Sequence, residues 1–391
     1  MKNSDNSRDS GDVSRSRQLS WTASACVARP NKSRFTLGLL LSLLLAPTVQ
    51  ASIGDSLPEF QDCIASCNCQ AIPFSARCPI WSCSHNCDYH CQQLITNELL
   101  DAGGFMVQFY GKWPFRQVLG MQEFCSVVFS LGNLAVNWAN LKMIRAQRAR
   151  STPPNGGVMT VSNLDGSSAM YWQYMVLLVV SCLGWLMSVI FHIRDTPLTE
   201  SLDYFGAFAM MCCNLNVIVV RILGLYRPHR HTRLKMWHLA IAGLYVYHVV
   251  RLRLDWDYDY NMKMNITVGM SAMLLWCMHS LGVARAYSAN RATYQSSIQL
   301  IPYESKLVRK LKFVFPGAKS SLIPYVPIIN TGILLCGVLL EVNDFRPWFR
   351  LVDAHSLWHL LTIFPNLIWF DWNVWDIEMS KITEHPNYKK S

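Results

Sequence analysis

The chain has 391 residues, of which 51% are hydrophobic and only 15% are charged. Together with 14 tryptophans, this composition is typical of membrane proteins and not of a string of soluble domains. The formal charge of +10 does not indicate a nucleic-acid partner, because Lys and Arg occur in short loops between apolar runs, as topology determinants do. We therefore expect an integral membrane protein that binds no nucleic acid.

The first 51 residues are predicted to be a disordered leader followed by a secretory signal. Residues 1–33 are rich in Ser, Arg and Asn and lack apolar periodicity, so they cannot bury a core. The apolar run at 35–46 has the length of a signal peptide, and Val49-Gln50-Ala51 resembles a cleavage site. We expect cleavage after Ala51, with an uncleaved signal anchor as the alternative. In either case the following segment enters an oxidising lumen.

Residues 52–120 are predicted to form a luminal, disulfide-rich cap. They contain half of the chain's 14 cysteines: Cys63, Cys67, Cys69, Cys78, Cys83, Cys87 and Cys91. Behind a secretory signal, disulfides are favoured over a metal site that includes His85 and His90. The odd number leaves one thiol over, and the pairing stays open. The i, i+4, i+8 spacing of the last three cysteines predicts that they share one face of a helix.

Seven apolar stretches after the cap are near the length that crosses a bilayer, and the fourth is short enough to leave the count of seven open. They lie at about 121–141, 170–191, 202–226, 236–250, 264–286, 321–342 and 354–372. Lys and Arg are concentrated after the first, third and fifth stretches and in the tail, which predicts a luminal N-terminus and a cytosolic C-terminus. The predicted fold is an all-α, seven-transmembrane bundle at 121–372, with a cytosolic tail at 373–391.

Three histidines in two of these helices suggest a zinc site. His355 and His359 are one turn apart on the seventh helix, so both can bind one metal ion from the same face. His192 at the end of the second helix would complete a set of three nitrogen ligands. An isolated pair of this spacing is frequent by chance, and a single membrane histidine is most often a hydrogen-bonded core residue.

Topology provides an independent argument for the site. Ser188 lies one turn before His192, and Asp203 follows Thr196-Pro197, which is a good helix start. The second helix ends on the luminal side, where the third and seventh begin. Ser188, Asp203 and the three histidines therefore fall at one depth, which favours metal binding. His238, His248 and His279 are interpreted as core residues.

Several strings around these residues are specific. They are GKWPF at 111–115, HIRDT at 192–196, LTE at 198–200, DYF at 203–205, LVDAH at 351–355 and the pair Trp358-His359. In these strings the chain resembles the post-GPI-attachment lipid-remodelling factors, GPI-specific acyl hydrolases of the secretory pathway. The resemblance runs from about residue 62 to residue 372. The wider superfamily, which includes alkaline ceramidases and progestin/adipoQ receptors, shares the Ser, Asp and His pattern.

The resemblance implies a GPI phospholipase A2-like hydrolase in the endoplasmic reticulum or Golgi. Its substrate would be a GPI-anchored protein, from whose lipid the sn-2 fatty acid is removed. Zn²⁺ held by His192, His355 and His359 would activate water, Asp203 would transfer the proton, and Ser188 would orient the water or stabilise the oxyanion. The alternatives are a ceramidase-like amide hydrolase, a non-catalytic receptor and a trafficking factor for GPI-anchored proteins. The oligomeric state stays open.

Overall fold

The computed structural model describes residues 52–72, 78, 81–151 and 166–384. The predicted leader, signal peptide and cleavage site lie outside these residues, as does the end of the C-terminal tail. Within them the chain is helical, with a few isolated bridge pairs and no strand. The predicted all-α class is therefore confirmed for the described part of the chain.

The described α-helices are numbered here in chain order. They are α1 Pro58–Ser66, α2 Cys83–Asp101, α3 Phe124–Arg150, α4 Ser167–Ile193, α5 Pro197–Ile222, α6 His231–Leu254, α7 Tyr258–Ala289, α8 Arg291–Gln295, α9 Ile301–Val314, α10 Val326–Val342 and α11 Ala354–Glu384. Short 3₁₀ turns occupy Gly54–Ser56, Pro228–Arg230 and Ser320–Tyr325.

The cap consists of α1 and α2, joined by a ladder of disulfides. The bonds are Cys63–Cys91, Cys67–Cys87 and Cys69–Cys83, and Cys78 keeps a free thiol. The three cysteines of α2 face α1 because their spacing places them on one side of the helix. Phe60 and Phe109 form a small apolar core beside the ladder, with ring centroids 4.7 Å apart. The prediction of a disulfide-bonded, partly helical cap with one cysteine left over is confirmed.

Six long helices of the bundle pack in a closed circuit. The order is α3, α4, α5, α7, α10 and α11, and α11 returns against α3. α6 lies outside the circuit and packs on α5 and α7, where Phe208 and Tyr245 stack. Because α3 and α11 meet at the closing contact, residues near their starts face those near the end of α4.

Five segments are long and apolar enough to cross a membrane, namely α3, α4, α5, α7 and Ser320–Val342, which contains α10. Long helices also occupy the other two predicted positions, but α6 and α11 carry more polar and charged residues and do not meet the same measure. The structure therefore supports an integral membrane protein with five candidate spans, and the count of seven remains a proposal.

The last helix does not end where the sequence predicted. α11 continues past Trp372 to Glu384, and its extension is packed inside the bundle. Asp376 is fully buried and accepts two hydrogen bonds from Arg221, at 2.7 and 3.1 Å, while His279 lies 3.0 Å away. Buried charges are tolerated when they are paired in this way. The segment predicted as a tail from residue 373 is thus helical as far as Glu384. Asp376 pairs with basic residues of α5 and α7, and Glu378 pairs with Lys381 of α11 itself.

A candidate metal centre at the start of α11

The geometry of the site begins with the residues that start α11. Asp353 precedes the helix, and its carboxylate accepts a hydrogen bond from the amide of Ser356 at 2.9 Å. The Ser356 hydroxyl in turn accepts from the Asp353 amide at 2.9 Å. This reciprocal pair fixes the first turn, so that His355 and His359 project from one face of α11.

The structure brings the three predicted histidines together. One ring nitrogen from each of His192, His355 and His359 lies within 4.8 Å of the others. The Nε2 atoms of His355 and His359 are 3.0 Å apart. His192 is 1% exposed and His359 is 4% exposed, whereas the side chain of His355 keeps 34% of its surface accessible. The centre is therefore closed on the side of α3 and α4 and open beside His355.

Each imidazole is oriented by a hydrogen bond at its Nδ1 atom. Glu123 lies 2.8 Å from Nδ1 of His192, and both carboxylate oxygens of Glu341 lie 2.9 Å from Nδ1 of His355. The hydroxyl of Ser130 lies 2.7 Å from Nδ1 of His359. A carboxylate only accepts, so Nδ1 of His192 and His355 must carry a proton. In the neutral imidazole this leaves Nε2 as the lone-pair atom, the arrangement usual for metal-binding histidines.

In the part of the chain that the structure describes, no side chain other than the three histidines forms a hydrogen bond with their Nε2 atoms. Among the described residues, Nε2 of His192 is buried and has no hydrogen-bond partner. When both rings are neutral and carry their proton on Nδ1, the lone pairs on Nε2 of His355 and His359 would repel each other at 3.0 Å. A cation bound by all three nitrogens would satisfy these atoms together, and three imidazoles are a donor set that zinc accepts.

Ser188 and Asp203 lie on the same side of the bundle, beside the imidazoles. Ser188 is 3% exposed, its hydroxyl is 3.3 Å from that of Ser130, and it also interacts with the carboxylate of Asp203. Asp203 is close enough to His192 and His355 to interact with both electrostatically. All five residues predicted for the site are thus neighbours in space, while their chemical roles remain predictions.

The start of α5 positions Asp203 as the sequence predicted. Thr196 is the residue before the helix, and its hydroxyl accepts a hydrogen bond from the amide of Thr199 at 3.2 Å. The hydroxyl of Thr199 accepts from the amide of Thr196 at 2.9 Å, and Pro197 occupies the first turn. This capping box begins α5 so that Asp203 lies in its second turn, facing α4.

Sequence reasoning missed the residues that orient the imidazoles. Glu123 stands near the start of the first apolar stretch and Glu341 near the end of the sixth, so both acids fall at the depth of the histidines in the predicted topology. The depth argument that grouped the histidines could have found them. Ser130 is seven residues after Glu123, hence on the same face of α3, but a lone serine carries no comparable signal.

A partly buried ion-pair network connects the centre to the cap. The Lys112 ammonium lies 3.2 Å from Glu123 and 2.6 Å from Asp195, and it sits 4.2 Å from the centre of the Phe191 ring. Burial raises the pKa of Glu123, but the charge of Lys112 and the hydrogen bond from His192 outweigh burial and hold it well below its usual range. Burial opposes the charge on Lys112, yet Glu123 and Asp195 raise its pKa above the usual range. Glu123 is therefore held as a carboxylate that accepts from His192.

Fold and site together define a helical membrane protein with a disulfide-bonded cap and a largely buried three-histidine centre. The chain belongs to the Per1-like family, whose model matches residues 73–377. It is 29% identical over 357 residues to "Protein PER1" of Saccharomyces cerevisiae, a match that covers 83% of this chain and 92% of that protein. It is 31% identical over 351 residues to "GPI-specific phospholipase A2-like PGAP3" of Mus musculus, covering 86% and 92%.

A further relative is "Post-GPI attachment to proteins factor 3" of Drosophila melanogaster, 30% identical over 356 residues, with coverage of 85% of this chain and 91% of the relative. No solved structure matches the chain significantly. The resemblance expected from the sequence strings is thereby confirmed at the level of the family.

Proposed function

We propose that this protein is a zinc-dependent intramembrane acyl hydrolase that removes the sn-2 fatty acid from the lipid of GPI-anchored proteins. The relatives' printed names support a role in GPI-anchor remodelling and suggest phospholipase A2-like hydrolysis. The observation that carries the chemistry is the set of three Nε2 atoms turned towards one another, each imidazole being hydrogen-bonded at Nδ1.

His192, His355 and His359 would hold the ion. When bound there, zinc supplies a Lewis acid and lowers the pKa of water enough to give a nucleophile at neutral pH. Glu123 and Glu341 keep two of the imidazoles in the tautomer that offers Nε2, and they add negative charge next to the site. Ser130 would do the same for His359 if its hydroxyl accepts the hydrogen bond from Nδ1.

Asp203 and Ser188 are the residues available for proton transfer and charge stabilisation. The Asp203 carboxylate would accept the proton of the attacking water and return it to the leaving glycerol oxygen. The Ser188 hydroxyl would donate a hydrogen bond to the oxygen that becomes negative at the ester carbonyl. Ser188 is a weaker candidate for the nucleophile, because the nearby imidazoles that could activate it are the proposed metal ligands.

The depth of the centre supports a lipid substrate. His192 lies in the last turn of α4, and His355 in the first turn of α11. In the proposed seven-span topology these turns lie at the luminal interface, where the glycerol esters of a phospholipid are found. The accessible edge of His355 gives an acyl ester a sideways route from the luminal leaflet. The protein would then act in the endoplasmic reticulum or Golgi, with its C-terminus in the cytosol.

The test is mass spectrometry of GPI anchors in cells that lack this protein. Re-expression of the wild-type chain should restore the lyso form, whereas His359→Ala should not. His229→Ala, an exposed histidine on the turn before α6, is the matched control and should restore it fully. Restoration by His359→Ala would favour a trafficking factor or receptor. Release of fatty acid from ceramide alone by the purified chain would favour a ceramidase.

A further inference from the structure

The cap contains a cavity that the proposed chemistry does not use. Its volume is about 170 Å³, and it lies between α2 and the segment that leads into α3. Aromatic rings form much of its wall: Trp81, Tyr89, Phe109, Tyr110, Trp113 and Phe115. Sites for drug-sized ligands usually measure roughly 300–1,000 Å³. This cavity therefore suits a single small ring and not an acyl chain.

Buried polar atoms on the wall lack partners. Among the described residues, Nε1 of Trp81, Oδ1 of Asp88 and Nε2 of Gln117 are buried and make no hydrogen bond. Two of these atoms donate and one accepts. Unpaired buried polar groups are costly, so their clustering around one cavity indicates a polar ligand that supplies the missing partners. A wall of aromatic rings with both hydrogen-bond donors and acceptors suits a sugar, whose hydroxyl groups both donate and accept.

The charge on the wall favours a cation over an anion. Asp88, Glu123 and Asp195 line the cavity, against a single lysine, Lys112, which is already paired with two of them. Burial raises the pKa of Asp88 by more than its contacts with Tyr110, His85 and Gln92 lower it, so the carboxylate is not fully compensated by positive charge. A protonated amino group on the ligand would provide that charge, and the aromatic rings would tolerate it.

The cavity adjoins the candidate metal centre through one shared side chain, Glu123. Glu123 and Lys112 line the cavity, and Glu123 also contacts Nδ1 of His192 at 2.8 Å. A lipid with its ester at the three histidines would therefore direct its headgroup towards the cap. In a glycosylated phosphoinositide the ester, phosphate, inositol and first amino sugar follow one another in that direction.

We propose that the cap cavity binds the amino sugar of the substrate's headgroup and so selects glycosylated phosphoinositides over ordinary phospholipids. This inference rests on the proposed function and adds a recognition site to it. The sugar's hydroxyl groups would pair with Trp81 and Gln117, and its ammonium group with Asp88. The cap would then select the lipid by its headgroup, and the helical bundle would hydrolyse its ester.

The experiment measures binding without catalysis. The full chain, purified in detergent, is titrated with lipid-free glucosaminyl-inositol phosphate and with its N-acetylated form, which has lost the positive charge. We expect Asp88→Asn and Trp81→Phe each to weaken binding of the first probe roughly tenfold, since each removes one buried polar partner. The acetylated probe should bind at least about tenfold more weakly to the wild-type chain. Asp62→Asn, at an exposed carboxylate on α1, is the matched control and should change nothing.

Two readouts separate this inference from the proposed function. His359→Ala should abolish hydrolysis and leave probe binding unchanged, whereas Asp88→Asn should weaken binding with the cap disulfides intact. If the wild-type chain hydrolyses the GPI lipid but binds the probe no better than Asp88→Asn does, the inference is wrong and the proposed function stands. Equal affinity for the two probes would overturn the assignment of an amino sugar. Probe binding that depends on Asp88 without any hydrolysis would leave the inference standing and remove the proposed function.

Discussion

The three imidazoles of the candidate centre are fixed by partners of different charge. His192 and His355 each face a carboxylate, while His359 faces the hydroxyl of Ser130. The carboxylates increase the electron density at two of the nitrogens and also limit ring rotation. His355 is the most accessible of the three, so it is the ligand position nearest to an entering substrate.

Zinc content tests the ligand set. The purified wild-type chain should contain about one zinc ion, since a three-histidine set with one open position is a common catalytic zinc site. The double variant His355→Ala, His359→Ala should lose it, as measured by elemental analysis of folded protein. His229→Ala should retain the metal. Wild-type zinc content in the folded double variant would refute the ligand assignment.

Asp203→Asn separates acid-base chemistry from metal binding. The variant should keep its zinc because Asp203 is not a proposed ligand, yet turnover should fall by roughly 10²- to 10⁴-fold, the usual contribution of a general acid-base group. The assay follows fatty-acid release from a GPI lipid by the purified chain. A variant that works at the wild-type rate would make Asp203 a structural residue.

At the scale of elements, the contact between α4 and α5 decides whether Ser188, His192 and Asp203 can meet. The two helices come close where Gly184 faces Gly206, because neither residue has a side chain to separate the backbones. A Cβ atom built on Gly206 would lie 3.2 Å from the Cα atom of Gly184, which is tighter than ordinary packing. Asp203 is one turn from this contact, so its position depends on it.

Gly206→Leu should therefore impair the site through overpacking. Forcing a large side chain into a packed contact costs about 1–3 kcal/mol, and the separation of α4 from α5 should also reduce turnover. Gly243→Leu on α6 is the matched control, because no atom lies within 4 Å of a Cβ built there. Thermal unfolding and fatty-acid release are measured for both variants. Equal effects of the two substitutions would show that the close contact is unimportant.

At the scale of the whole molecule, the cap is held on the bundle by the connection between α10 and α11. Arg350 donates hydrogen bonds to Gln93 at 2.9 Å and to Asn97 at 2.8 Å, both on α2. The indole of Trp113 donates to Asp344 at 2.9 Å. The same connection leads into Asp353 and the first turn of α11. The disulfide-bonded domain and the candidate centre are therefore supported by one segment of the chain.

Protease protection tests the proposed orientation. In sealed microsomes, protease added from outside should leave the cap at 52–120 intact and remove an epitope attached after Ser391. The physical reason is the excess of Lys and Arg in the predicted cytosolic loops, which are retained on that side during insertion. Detergent should make the cap accessible to protease. Loss of the cap before detergent is added would reverse the topology and remove the shared-depth argument.

The helices and the types of the candidate ligands could be predicted from sequence patterns that span only a few helical turns. The spacing of His355 and His359, the Thr196-Pro197 start of α5 and the cysteine face of α2 are all local, because helix geometry alone determines which neighbours share a face. The apolar stretches located the long helices for the same reason. The distribution of Lys and Arg among the loops predicted the orientation of the chain in the membrane, and this orientation remains a prediction.

Only the tertiary structure decided which distant groups meet. Two of the contacts at the centre join residues that are far apart in the sequence, namely Glu123 with His192 and Ser130 with His359. These contacts depend on how the helices rotate and pack against one another. The disulfide pairing follows from the antiparallel approach of α1 and α2, which cysteine spacing leaves open. The extension of α11 places Asp376 in a buried ion pair with Arg221 that no local pattern encodes. The sequence by itself determined the helices and the ligand types, and packing between helices determined the partners.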